Sequence, residues 1–137
     1  MADLFVYGTL QNPEIVRALT SKSFKQDKYV LSDYAVSLVT GEHFPGMTRS
    51  PGAYASGYIL YDVDEESLEM IDKWEGPNYT PTNLSILVND QATEVVAYIW
   101  ADGSQLEGKW SNDTYRKTHM KECIEKCIPQ EFSAPIN

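Results

Sequence analysis

The chain is short of cysteine and of positive charge, and each shortage narrows what it can be. Only two of its 137 residues are cysteines, Cys123 and Cys127, so stability has to come from a buried core. A chain of this length can supply that core as one domain, without disulfides or structural metals. Eleven Lys and Arg stand against twenty Asp and Glu, a net charge of -9, which repels nucleic acid and anionic membrane surfaces. No stretch approaches the ~18 apolar residues that span a bilayer, and MADLFVYGT shows no basic region followed by an apolar run. The expectation is a cytoplasmic protein with no nucleic-acid or membrane partner. Gly-x-Ser-x-Gly, Gly-Lys-Ser/Thr and dinucleotide-spaced glycines are also missing, leaving nucleophilic hydrolysis and phosphate-loop chemistry unsupported.

The cysteines do line up with His119, at intervals of four. On a helix, residues eight apart are separated by roughly 12 Å, so His119, Cys123 and Cys127 cannot all reach one zinc ion. The row reads as an inward-facing helix stripe. His43, alone in a loop, is left out of any mechanism.

What is present is a mixture of strand and helix patterns. Asp3–Tyr7 reads as a buried strand, and after the turn Tyr7-Gly8-Thr9-Leu10 a helix starts with Asn12 as N-cap and Pro13 as first residue, running to Leu19. Lys28–Val39 is strand-like and is followed by a Gly- and Pro-rich loop, GEHFPGMTRSPG. Ala53–Val63 alternates as a long strand covered on both faces, expected at the centre of the sheet. The spacing of Asp62 and Glu65 suggests a capping box for the next helix, which Gly76-Pro77 stops. Asn83–Val88 and Thr93–Ala101 form a hairpin through Asn89-Asp90, and a last helix spans about Asn112 to Lys126. The pattern predicts a single α+β domain over residues 1–128, with a curved, largely antiparallel sheet or small barrel flanked by helices around one shared core. Pro129–Asn137 reads as a tail.

Two places could carry chemistry. Gly8 sits between a strand and a helix, where a sharp turn can point successive N–H groups outward as a cradle for a carboxylate or oxyanion; an ordinary tight turn has the same signature. In DEESLEMIDKWEGPNY, Glu75 falls about 20° from Leu68 and about 40° from Ile71 around the helix. A carboxylate therefore lies on the apolar face, in the last turn, where the negative end of the helix dipole opposes it. Both effects favour the protonated form and move the group toward a general acid/base range. Alternatively, Glu75 reaches solvent past Gly76 or pairs with Arg17 or Arg49.

Taken together, Val6-Tyr7-Gly8-Thr9-Leu10, Phe44-Pro45-Gly46-Met47, the strand Gly57 to Val63, and Leu68 to Tyr79 with its pattern Leu-x-x-Ile-Asp-x-x-Glu-Gly-x-x-Tyr resemble the gamma-glutamylcyclotransferase-like family. That family includes gamma-glutamylamine cyclotransferases and plant AIG2-like proteins. The resemblance implies a mixed α+β domain around a small barrel. It implies substrate binding by Tyr7, Gly8, Thr9, Leu10 and Tyr79, and a general acid/base at Glu75. The reaction implied turns a small γ-glutamyl amine or amino acid into 5-oxoproline and free amine, with no metal or cofactor. Many relatives carry a basic residue two positions after the tyrosine, where this chain has Pro81. That departure keeps open a non-catalytic module that binds γ-glutamyl compounds or 5-oxoproline.

Overall fold

The structure, a computed structural model, describes residues 1–127; the expected tail Pro129–Asn137 lies outside the described residues. Five strands form one sheet: β1 (Ala2–Val6), β2 (Gln26–Leu38), β3 (Pro45–Val63), β4 (Tyr79–Val88) and β5 (Gln91–Trp100). Their order is β2-β3-β1-β5-β4, antiparallel throughout except for the parallel pair β1–β5. The middle place thus belongs to β1, and the strand expected to be central, now the second half of β3, is an interior neighbour. Leu4, Phe5 and Val6 are all buried, as a strand covered on both faces requires. Tyr29 Oη on β2 donates to the Leu87 carbonyl on β4 at 3.1 Å, so the two ends of the strand order meet and the sheet curls toward a barrel.

The alternation along β1 separates two cores where one was expected. Leu4 and Val6 join Leu60 and Val63 beneath the helices, while Phe5 and Tyr7 pack with Met47, Ile59, Val95 and Ala97 inside the curl. The β1–β3 approach is tight enough to require glycine: a Cβ on Gly57 would stand 2.2 Å from the Val6 carbonyl oxygen.

Helix α1 (Pro13–Thr20) and helix α2 (Glu65–Glu75) cover the first core. Asn12 precedes α1 but does not cap it with its side chain. The α2 cap is Asp64, whose carboxylate accepts from the Ser67 N–H and hydroxyl; Asp62 belongs to β3 and its N–H bonds Asp3. The Gly- and Pro-rich stretch after β2 is only partly loop, because Pro45 onward is already β3, paired with β2 from Leu38 back to Tyr34. A bulge at Asp33, whose carboxylate accepts from the Gly52 N–H, then separates this arm from the rest of the ladder. The expected last helix is broken into α3 (Asn112–Thr118), the short α4 (Met120–Glu122) and a π turn (Cys123–Cys127). His119 leaves helical geometry between α3 and α4, at φ -129° and ψ -24°. No helix among the described residues is long and apolar enough to cross a membrane.

Candidate active site

Strand β1 ends at Val6, and a single 3-10 turn, Thr9–Gln11, follows Gly8. Gly8 has a negative φ of -117°, so its role is not to supply a left-handed backbone. It supplies space: a Cβ there would meet Pro45 Cγ at 2.8 Å and Cδ at 3.1 Å, in a ring tied to the backbone that cannot swing away. The Tyr7–Leu10 turn and the Phe44–Met47 segment are therefore two sides of one contact.

Within the turn, the Gln11 and Asn12 N–H groups donate to the Gly8 and Thr9 carbonyls. The N–H groups of Thr9 and Leu10, at the start of the turn, have no acceptor inside it. The turn is pinned from outside. Buried Asn12 donates to the Thr9 carbonyl at 3.0 Å and exchanges hydrogen bonds with Asn112 on α3. Arg116 donates to both Asn12 and Glu14.

A narrow cleft of about 20 Å³ brings together Tyr7, Gly8, Thr9, Leu10, Glu75 and Tyr79, all six residues singled out from the sequence. It is also walled by Pro45 and Tyr98, which sequence reasoning did not pick; their signal is slight, a proline next to a conspicuous motif and a tyrosine in an apolar strand. Glu75 is the last residue of α2. Burial of its carboxyl pushes the pKa up to about 8, and the nearby Asp72 carboxylate adds to the rise. Neither arginine weighed from the sequence pairs with it: Arg17 bonds the Ser23 hydroxyl, and Arg49 lies opposite Tyr34 in the β2–β3 ladder.

Three tyrosines frame the carboxyl group. Tyr79 Oη donates to the Pro45 carbonyl and Tyr7 Oη to the Tyr98 carbonyl, each at 2.6 Å. Tyr98 Oη donates to Asp72 Oδ1. Burial raises the pKa of all three phenols, so they stay protonated and keep these bonds. Asp72 is thereby held one helical turn from Glu75, where it disfavours the ionised form of that residue.

Beyond Glu75 the cleft adjoins a chamber of about 390 Å³, with Thr9, Glu75 and Tyr79 bordering both. Its walls include Phe44, Trp74 and Tyr115, and Glu42, Glu122 and Lys126 also line it. His43, set aside from the sequence, lies here with its ring stacked on that of His119, centroids 3.6 Å apart. The helix row thus faces a cavity in part: Tyr115 is buried, while His119 and Cys123 line the chamber half-buried. The one signal for His43 was its place directly before Phe44-Pro45-Gly46. Pro81 lines neither cavity; it is exposed on β4, opposite Tyr98. An edge strand tolerates a residue with no N–H to donate.

Comparison with known proteins bears on the family and the fold. AIG2-like protein D of Arabidopsis thaliana is 25% identical over 142 residues, covering 100% of this chain and 92% of the relative. Protein AIG2 B of the same plant is 29% identical over 127 residues, covering 90% and 75%. The solution structure of an Arabidopsis thaliana protein matches with a TM-score of 0.69 at 22% identity, over 92% of this chain and 79% of that one. A gamma-glutamyl cyclotransferase structure matches with a TM-score of 0.61 at 12% identity, over 99% and 93%; identities this low establish the shared fold. Residues 4–117 match the family described as "Gamma-glutamyl cyclotransferase, AIG2-like", and the chain belongs to that family.

Proposed function

We propose that the protein is a γ-glutamyl cyclotransferase, converting a γ-glutamyl amine or amino acid into 5-oxoproline and free amine, with Glu75 as general acid/base. The observation that carries this reading is the meeting of the Glu75 carboxyl and the Tyr7–Leu10 turn in one cleft. In the reaction the substrate's α-amine attacks its own γ-carbonyl carbon, a C–N bond forms, and the bond from that carbon to the leaving nitrogen breaks. One proton moves, net, from the attacking nitrogen to the departing one; no water, oxidant or metal enters the balance.

A single carboxyl group can mediate that transfer if its proton affinity matches the attacking amine. A chain-terminal α-amine titrates at about 8 and one beside its own carboxylate, as in a γ-glutamyl group, about one unit higher, while Glu75 is pushed up to about 8. The proton can therefore move onto Glu75 as the ring closes and off it as the amine departs, with little penalty either way. The cleft has room for little more than a water-sized group, so it suits one end of the substrate, such as its carboxylate, against the Thr9 and Leu10 N–H groups. The remainder extends past Glu75 into the chamber. Holding the glutamyl chain bent in this way supplies the proximity that an intramolecular attack needs. The position of Pro81 outside both cavities supports the catalytic reading over the binding module.

The test is release of 5-oxoproline from a panel of γ-glutamyl amides by the parent protein and by Glu75→Gln. The variant should keep its fold and ligand binding while turnover falls about a thousandfold, within the range typical of a lost acid/base group. Normal turnover by the variant contradicts the assignment.

A further inference from the structure

We propose that the chamber beside Glu75 receives the leaving amine and selects one with an aromatic body and no carboxylate, a substrate class that rests on the cyclotransferase reading above. The chamber begins where the cleft ends, with Glu75 and Tyr79 common to both, so a scissile amide placed at Glu75 directs its nitrogen substituent into it. Its volume of about 390 Å³ falls among cavities of roughly 300–1,000 Å³ that enclose small organic ligands. Phe44, Trp74, Tyr79 and Tyr115 present aromatic rings from four different parts of the chain. A methyl-sized substituent leaves those surfaces wet, whereas a ring covers them and stacks.

Charge supplies the second half of the selection. The charged side chains in the lining are Glu42, Glu75, Glu122 and Lys126. Lys126, the one ammonium among the described residues of the lining, is already engaged, its Nζ 3.4 Å from Glu122 Oε2. Glu42, on the loop before β3, takes part in no ion pair among the described residues. A carboxylate on the leaving amine would enter beside Glu42 with no uncommitted ammonium or guanidinium among the described residues of the wall to meet it, in a protein that carries a net charge of -9. An amine derived from an amino acid is therefore disfavoured against its decarboxylated counterpart.

Three matched probes separate these effects: the γ-glutamyl amides of phenethylamine, of phenylalanine and of methylamine, assayed at pH 8 for 5-oxoproline. The phenethylamide should have a kcat/KM at least tenfold above each of the others. In Glu42→Gln the ratio of phenethylamide to phenylalanine should shrink severalfold, and in Trp74→Ala the ratio of phenethylamide to methylamide should shrink. Each ratio is taken within one variant, so a partly unfolded preparation does not alter it. Turnover of all three at similar kcat/KM, or ratios unmoved by both substitutions, overturns this assignment and leaves the cyclotransferase reading standing. If none of the three yields 5-oxoproline while each binds by calorimetry, the cyclotransferase reading falls and takes this assignment with it.

Discussion

Helices α1 and α2 pack against each other over the same core, and they end in opposite ways. Helix α1 follows the rules of a stable helix: Pro13 at its first position, Glu14 in the first turn, Arg17 toward the end, and Ser21 closing it in a left-handed conformation at φ 62°. Ile15, Val16 and Leu19 give it a fully buried apolar face. Helix α2 begins as well, with Asp64 capping and Glu65 and Glu66 in the first turn. It then puts Glu75 at the negative end of its dipole, half-buried at the cleft with its carboxyl desolvated, one turn from Asp72. Two helices on one core, under the same packing demands, differ at the one residue of the pair of helices that borders both cavities. Natural proteins depart from stabilising rules where function asks for it, and the departure in α2 marks the site.

Substitutions can break this contrast in a definite order. Truncating the conforming helix at Leu19→Ala should destabilise the fold by about 3 kcal/mol, the usual loss for emptying a buried leucine site. Denaturant melts would show it, with 5-oxoproline release per folded molecule unchanged. The reverse sign is expected at the exceptional residue. The folded-state pKa of Glu75, about 8, lies above the usual 4.5, so its contribution to stability is full below about pH 4.5 and lost as pH rises toward 8. Glu75→Gln removes that loss and should stabilise the protein at pH 8 by something on the order of 2 kcal/mol, with no gain at pH 4. Equal melting temperatures for parent and variant at pH 8 would contradict the burial of this carboxyl. The smallest effect belongs to Asp72→Asn. Removing the second and lesser cause of the raised pKa should move the alkaline rise of kcat/KM downward by less than about one pH unit, and a profile that stays in place would mean that burial alone sets it.

The same contrast explains what could be read without coordinates. Elements governed by local chemistry were legible: the Pro13 helix start, the Gly76 stop, and the Asn89-Asp90 hairpin, where both residues adopt positive φ of 51° and 64° as a two-residue turn demands. Features set by distant partners were not. The first arm of β3 looked like loop because Pro45, Gly46, Pro51 and Gly52 dominate it, yet pairing with β2 makes most of it strand. Asn12 looked like a cap, but its side chain is taken by Asn112, one hundred positions away. Glu75 could be found because a carboxylate breaks a helical apolar stripe, a signal contained in eight residues. Tyr98 and His43 left no such trace, since what places them at the cavities is the sheet order and the broken C-terminal helix. The need for glycine at position 8 was visible, but its reason was not: Pro45, not the backbone angle, forbids a side chain there.

The proposed chemistry turns on a carboxyl group kept neutral by desolvation next to the Tyr7–Leu10 turn, and that state can be measured without knowing the substrate. Titration of the Glu75 side-chain carboxyl carbon by 13C NMR, assigned by its disappearance in Glu75→Gln, should give a midpoint near 8. A midpoint near the usual 4.5 would show a solvated carboxylate and contradict the proposed acid/base role.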